Sequence, residues 1–323
     1  MSRIARRGAL ALPALLALPR LPRAQAFPTR PLRVIVPFAA GGAADSAART
    51  IFPPMAERLG QPIVVENRSG AGGSIGAAEV ARAAPDGHTL LFDASSHLVN
   101  PHLMRGLPFD YTTAFTPISQ VVIFPQVLAV KADLPVTTLG EFIALARTRP
   151  GGLSIGTQGN ATAGHLGLVA FSRAAGIQLT HVPYRGGADA ARDLAAGALD
   201  GVFITLLSAR PIVDAGRARF IALASNRRSP LRPAVPTFAE SGVPGVEISE
   251  WAALFAPAGT PTAITLALYG TLRDVLGLAE VRERLANLGA EPLGSTPEEF
   301  ARFVARVREE NGQIVREAGI RLD

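Results

Sequence analysis

Short apolar runs rich in β-branched residues alternate with longer stretches of helical periodicity along most of this chain. Strands separated by helices usually join a parallel sheet, so the alternation predicts α/β architecture. The predicted strands are residues 32–36, 63–66, 89–92, 126–130, 153–156, 179–182, 201–204 and 219–224. The predicted helices between them are 45–59, 76–83, 139–147, 164–175 and 188–196, and the C-terminal third is predicted to be mainly helical.

Local signals mark the ends of several helices. Thr138 with Glu141, and Thr296 with Glu299, fit capping boxes in which side chain and backbone exchange hydrogen bonds. The pair Pro53-Pro54 is expected to break or kink the first helix, because proline removes a helical hydrogen bond.

The first 26 residues have the composition of an export signal. They begin with arginines, continue with an apolar stretch over 8–18, and end in Ala24-Gln25-Ala26, which fits a cleavage site. The stretch is too short and too rich in proline to span a bilayer stably. We expect cleavage after Ala26 and, in a bacterium with two membranes, a periplasmic protein. Arg6-Arg7 leaves twin-arginine export open beside the general secretory route.

Composition excludes several function classes. The formal net charge of +6 depends largely on five arginines in the first 26 residues, so the remainder is nearly neutral and nucleic-acid binding is not expected. The chain has no cysteine, which excludes thiol catalysis, cysteine zinc sites and iron–sulfur clusters. Its five histidines form no recognised metal motif, so neither a metal nor another cofactor is expected.

Two segments repeat one pattern: a strand, a glycine-rich turn and the start of a helix. LRVIVPFAAGGAADSAAR begins at Leu32, and LSIGTQGNATAGHLGLVAF begins at Leu153. At the carboxyl ends of parallel strands, such turns present backbone amides and the positive end of a helix to an anion. Asp45 is expected to be the N-cap of the first helix. Two such turns facing each other across a cleft would hold the two ends of a small anionic molecule.

The segment GGSIG at 72–76 matches the pattern of a nucleophile elbow, with Ser74 as the nucleophile. An elbow directly follows a core strand, whereas here the polar and small residues NRSGA lie between the strand and the motif. A serine hydrolase that uses Ser74 is therefore an alternative function, but binding without turnover is favoured.

Several ordered stretches carry a family resemblance. These are RPLRVIVPFAAGGAADSAAR, LGQPIVVENRSGAGGSIGAAEVARAAPDGHTLLF, HVPYRGGADAARDLAAGALD, RSPLRPAVPTFAESGVPG, WAALFAPAGTP and VRERLANLGAEPLGSTPEEF. With them the chain resembles, from about Phe27 to Asp323, the Bug-type extracytoplasmic solute receptors of tripartite tricarboxylate transporters.

The resemblance implies a fold and a function. The fold is α/β of the periplasmic-binding-protein type (type II), with a ligand cleft between two α/β domains. One domain is expected to comprise 27–124 plus 251–323 and the other 125–250, with crossings near 118–125 and 249–255. The implied function is capture of a small carboxylate for membrane permease subunits, by a monomer that is not an enzyme. A sensor that signals to a membrane kinase remains an alternative, and the ligand and its affinity stay open.

The resemblance also implies a set of ligand-binding residues. The first turn supplies a cradle and the second turn supplies another, with further wall residues after the third strand and after HVP. The expected site residues are Phe38, Ala39, Ala40, Gly41, Gly42, Ala43, Ala44, Asp45, Ser95, Ser96, Gly159, Asn160, Ala161, Thr162, His165, Tyr184, Arg185, Gly186 and Ile204.

Four positions depart from the family's usual pattern. Ala39-Ala40 stands where Pro-Pro is usual, and Ala161 replaces a common glycine. Ile204 stands where many members have an acid, which removes a candidate partner for a cationic group. We therefore hypothesise a cargo without an ammonium group, such as a di- or tricarboxylate or an aromatic or branched acid.

Overall fold

The computed structural model describes residues 27–320, so the predicted export signal lies outside the described residues. The strands are β1 (Leu32–Val36), β2 (Ile63–Asn67), β3 (Thr89–Ala94), β4 (Phe115–Lys131), β5 (Ser154–Thr157), β6 (Thr180–Pro183), β7 (Gly201–Thr205), β8 (Ala218–Leu223), β9 (Ser249–Pro257) and β10 (Glu291–Pro292). The helices are α1 (Ala43–Leu59), α2 (Ser74–Ala81), α3 (Ser96–Leu103), α4 (Leu139–Thr148), α5 (Ala163–Ala175), α6 (Gly187–Ala195), α7 (Leu206–Asp214), α8 (Thr262–Leu276), α9 (Ala279–Asn287) and α10 (Pro297–Glu317).

One long strand, β4, is shared by two α/β domains. The strand order is β2-β1-β3-β9-β4-β7-β5-β6, and β8 and β10 also pair with β4. The first part of β4 pairs with β9, and the last of these pairs joins Pro125 to Ser249. From Gln126 onward, β4 pairs instead with β7, and it pairs with β8 from Val127. The sheet therefore changes partners within β4, where the chain passes from one domain to the other.

The strand directions bring the two predicted turns to the same junction. β1 is parallel to β3, while β3 and β4 are both antiparallel to β9, so β1 and β3 run in the direction of β4. β7 is antiparallel to β4, and β5 is parallel to β7, so β5 runs the opposite way. The carboxyl ends of β1 and β3 thus point toward the second domain, and that of β5 points toward the first.

Helices cover both faces of the sheet in each domain, as this class of fold requires. In the first domain α1, α8 and α9 pack on one face, and α2, α3 and α10 on the other. In the second domain α4 and α5 pack on one face, and α6 and α7 on the other. No helix within residues 27–320 is long and apolar enough to cross a membrane.

Most predicted elements are present with shifted ends, and a few predictions are wrong. Both capping boxes are confirmed. The predicted break at the proline pair is wrong, because α1 continues through Pro53 and Pro54. Pro53 is exposed, so water can reach this side of the helix, while Phe52 and Met55 anchor the opposite side in the core. Helices α3 and α7 and the first half of β4 as a strand were not predicted.

Candidate functional site

The first turn leads from β1 into α1 through exposed backbone. Residues 39–43 are exposed, and Gly41 has a φ of +79°, in the left-handed region that favours glycine. The N-cap of α1 is Gly42, which has no side chain to satisfy the first-turn amides. Those amides lack helical partners in any α-helix and are therefore available to a ligand.

Asp45 has a different role from the predicted one. The helix begins at Ala43, so Asp45 lies in the first turn instead of at the N-cap. Its carboxylate, which is 1% exposed, accepts hydrogen bonds from the Gly41 amide (2.8 Å), the Arg49 guanidinium (3.0 Å) and the Asn67 side-chain amide (3.0 Å). Burial acts to raise the pKa of Asp45, but these hydrogen bonds outweigh it and hold the pKa below the ordinary value. Asp45 thus holds the loop in place by accepting the hydrogen bond of the Gly41 amide.

Asn67 was missed by the sequence reasoning. It ends β2, and its side-chain amide also donates to the Phe38 carbonyl (3.1 Å). Arg49 in turn donates to the Asn67 side-chain oxygen (3.1 Å). The sequence did offer a signal, because Asn67 is a polar residue at the carboxyl end of a predicted strand. Parallel neighbouring strands end at the same edge of a sheet, so Asn67 could have been expected near the turn that follows β1.

The second turn repeats this construction. Thr162 is the N-cap of α5, and its hydroxyl accepts from the His165 amide (3.4 Å) and donates to the Gly159 carbonyl (2.8 Å). The His165 Nδ1 accepts a hydrogen bond from the Ala161 amide at 3.2 Å. In both turns, a side chain in the first helical turn therefore accepts from the amide four residues earlier. That earlier residue has a positive φ in both turns, +79° at Gly41 and +57° at Ala161.

His165 is held by a second histidine. Its ring stacks on that of His181 with centroids 3.9 Å apart, and the His181 Nε2 lies 2.7 Å from the Thr157 hydroxyl. Burial, with a smaller contribution from the neighbouring His181, lowers the pKa of His165 to about 4. At neutral pH the pair is therefore uncharged, and His165 positions the loop with its Nδ1.

The second turn also contacts the first domain. Ala161 and Leu166 pack in a small apolar cluster with Val99 of α3 and Val315 of α10. Asn160 remains exposed at the tip of the turn. The shape of this turn therefore depends on both domains.

The turn after β6 forms a neighbouring wall. The Tyr184 carbonyl lies beside Gly159, and the Tyr184 hydroxyl donates to the Asp193 carboxylate (2.9 Å), so this hydroxyl is already engaged. Burial and the adjacent Asp193 raise the pKa of Tyr184. Arg185 is exposed, and Gly186 is the N-cap of α6.

Ile204 does not lie on the surface of the cleft. It is 0% exposed and belongs to the apolar core that includes Val127 and Leu206. Its inclusion among the ligand-contacting residues is therefore wrong for this structure. All of β7 up to Ile204 is buried, because helices cover both faces of the strand. The sequence of such a strand does not alternate between polar and apolar residues, so it does not show which way the Ile204 side chain points.

Ser95 and Ser96 follow β3 at the same junction, and Ser95 is already paired. Its hydroxyl and its amide both donate to the Glu250 Oε1, at 2.5 and 3.2 Å. The Ser96 hydroxyl is buried and has no hydrogen-bond partner among residues 27–320. Glu250 on β9 was not singled out from the sequence.

A cavity of about 850 Å³ lies beside these turns, between α5 and α10 and over the crossing strands. Leu166, Val169 and Trp251 form part of its wall. In the part of the chain that the structure describes, Ser95 is the one predicted site residue that lines it.

Neither the hydrolase geometry nor a metal centre is found. Ser74 begins α2 after a short 3₁₀ turn (Ala71–Gly73), is buried, and is separated from β2 by 68–73, so it does not form a strand-to-helix elbow. Among residues 27–320, no three or more histidine, aspartate or glutamate side chains are grouped to hold a metal ion.

Comparisons with known proteins identify the family of this chain. The family model described as "Tripartite tricarboxylate transporter family receptor" matches residues 47–320. Protein BugT of Bordetella pertussis is 35% identical over 301 residues, covering 93% of this chain and 92% of BugT.

Two solved structures with ligands are also similar. The R. palustris protein Rpa4515 with adipate is 36% identical, with 91% of this chain and 99% of that chain covered and a TM-score of 0.76. MatC from Rhodopseudomonas palustris with bound malate is 33% identical, with 90% and 100% covered and a TM-score of 0.71. The predicted fold is confirmed, and since the matched family is a family of transporter receptors and not of enzymes, the hydrolase alternative is wrong. The chain belongs to the receptor family of the tripartite tricarboxylate transporters.

Proposed function

We propose that this chain is a periplasmic receptor that captures a small carboxylate between its domains and delivers it to the membrane permease subunits of a tripartite tricarboxylate transporter. The observation that carries this is the pair of matched turns, each ending a strand at the domain junction and leading into a helix N-terminus. Backbone amides and the helix dipole at such ends favour an anion. Adipate and malate, bound by two relatives, are dicarboxylates with two such ends.

The class of carboxylate proposed is a di- or tricarboxylate or an aromatic or branched acid. The sequence-based hypothesis that the cargo has no ammonium group relied on Ile204. Because Ile204 is buried in the core, that hypothesis loses its structural support.

The proposed cycle is closure of the cleft about the crossing strands. We place the domain boundaries at 124/125 and 250/251, next to the last pair between β4 and β9, Pro125 with Ser249. Ligand shifts the balance between open and closed forms only by its preference for the closed cleft. The mature chain is proposed to be a monomer, exported and cleaved after Ala26.

A panel of carboxylates tests binding. Malate, adipate, citrate and benzoate would be added to the mature chain in a thermal-shift assay and followed by calorimetry. At about 100 times Kd a true ligand adds roughly 2.7 kcal/mol of stability. If no carboxylate at millimolar concentration moves the transition, the proposal is wrong.

A proline substitution tests the role of the amides. Ala43 is the first residue of α1, where proline is well tolerated and removes one amide hydrogen. The preceding Gly42 is already extended, as the residue before a proline should be. Ala43→Pro should weaken binding of the best carboxylate roughly tenfold, the value of a lost charged hydrogen bond. Ala279→Pro, at the first residue of α9 and outside both turns, is the matched control and should bind normally.

Delivery to the permease is tested separately. The mature chain should retain permease subunits from a membrane extract in the presence of its ligand. Retention of a membrane kinase in their place would favour the sensory alternative.

A further inference from the structure

Glu250 is an acidic side chain at the domain junction. The last pair between β3 and β9 joins Ala94 to Ala252, so Glu250 lies just beyond the carboxyl end of β3. On its other side, Glu250 pairs with Phe124 of β4, one pair before β4 leaves β9. Glu250 therefore stands where the two domains meet.

The face of the sheet on which Glu250 lies follows from the alternation of β9. Ala252 and Leu254 pack in the core beneath α1, whereas Trp251 and Ala253 pack in the core beneath α10. Successive side chains of a strand point to opposite faces. Glu250 is therefore on the face of α1, the helix that the first cradle leads into.

The partners of Glu250 leave its charge uncompensated. Both hydrogen bonds from Ser95 reach the Oε1, and neither reaches the Oε2. Within residues 27–320, no lysine, arginine or histidine nitrogen lies within 4.0 Å of this carboxylate. Burial, with a smaller contribution from the nearby Asp93 carboxylate, raises the pKa of Glu250 and outweighs the hydrogen bonds from Ser95 and from the Trp251 backbone, which act to lower it. The adjacent Ser96 hydroxyl is also buried, and the described part of the chain offers it no hydrogen-bond partner.

Glu250 is half-buried, and a carboxylate partly withdrawn from water without a counter-ion is unfavourable, so a cationic partner from outside the chain would lower its free energy. We propose that Glu250 is the specificity residue that pairs with a cationic group, such as an ammonium, on the carboxylate cargo. This inference rests on the proposed function, because the amides of the cradles hold the carboxylate of the same molecule. Many family members have an acid at the position of Ile204; in this chain we propose that Glu250 on β9 supplies the carboxylate instead. The preferred cargo is therefore zwitterionic.

Matched pairs of ligands test this pairing. Binding of succinate and aspartate, glutarate and glutamate, and butyrate and 4-aminobutyrate would be measured by calorimetry at pH 7. The wild-type protein should prefer the amino member of at least one pair by roughly tenfold or more, as expected of a charged hydrogen bond.

Glu250→Gln is the informative variant, since the glutamine oxygen can still accept from Ser95. It should abolish the preference for the amino member and leave binding of the unsubstituted acid within about threefold, a small change on this scale. Glu57→Gln, an exposed position near the distant end of α1, makes the same charge change and should keep the preference. Far-ultraviolet circular dichroism would check that both variants are folded.

Three outcomes would overturn the inference. If the unsubstituted acids bind as tightly as their amino counterparts, Glu250 does not bind the ammonium group, and only this inference fails. If their binding strengthens as the pH falls and Glu250→Gln removes that dependence, Glu250 is instead a neutral hydrogen-bond donor. If neither these acids nor the wider carboxylate panel bind, the proposed function fails together with the inference.

Discussion

Replacing Asp45 by alanine should destabilise the protein by about 2–3 kcal/mol, because Asp45 is the common acceptor of three hydrogen bonds. The exposed pair with Arg49, whose side chain is 52% exposed, contributes at most about 1 kcal/mol. The bonds from the Gly41 amide and the Asn67 side chain each contribute about 1 kcal/mol. Water can reach the exposed Gly41 after the substitution, which keeps the loss below the full cost of unsatisfied groups.

Urea unfolding followed by circular dichroism would measure the change, with Arg49→Ala as the control. That variant removes the exposed ion pair and the exposed hydrogen bond from Arg49 to Asn67, and it should cost about 1 kcal/mol or less. The pKa of Asp45 is lowered in the folded state, so its contribution is complete above the unfolded value of 3.8 and is lost as the pH falls through the folded value. The difference between wild type and Asp45→Ala should therefore be constant from pH 5 to about 8 and shrink below about pH 4. A loss under about 0.5 kcal/mol at pH 7 would refute this account of the loop.

Three further substitutions probe the two turns. Gly41→Ala should lower the free energy of unfolding by about 1 kcal/mol through backbone strain alone, since nothing lies within 4 Å of the added carbon; an unchanged urea midpoint would contradict this. Gly164→Ala should cost about 1–3 kcal/mol, because its methyl group would lie 2.4 Å from the Phe203 carbonyl and 2.6 Å from the Gln158 side-chain oxygen; the same urea assay measures it. Because His165 has a pKa of about 4 when folded and 6.5 when unfolded, stability should fall by about 1–2 kcal/mol between pH 7 and pH 5, and His165→Asn should flatten that slope.

The sequence predicts features that depend on neighbouring residues. The capping boxes at Thr138 and Thr296 are confirmed because each is complete within four residues. The two strand–turn–helix segments are also found, since glycine, small residues and a following helical pattern are local signals. Asp45 was misassigned because an acid at the N-cap and one three residues later look alike in sequence, and glycine takes the cap here.

Features that depend on strand pairing could not be predicted. Glu250 is at the junction because of the register between β3, β9 and β4, which involves residues more than a hundred positions apart. The orientation of Ile204 depends on the helices that cover both faces of its strand. Neither residue has a local pattern that distinguishes a core position from a cleft position.

The two cradles share one construction but differ in what holds them. In each, a residue with positive φ donates its amide to a side chain in the following helical turn, which fixes the turn against the start of its helix. The first cradle is tied to its own domain through Asn67 and is therefore formed before any closure. The second packs against α3 and α10 of the other domain through Ala161, so its position follows the angle between the domains. A cargo should then meet the first cradle in its final shape, and closure should complete the second around it.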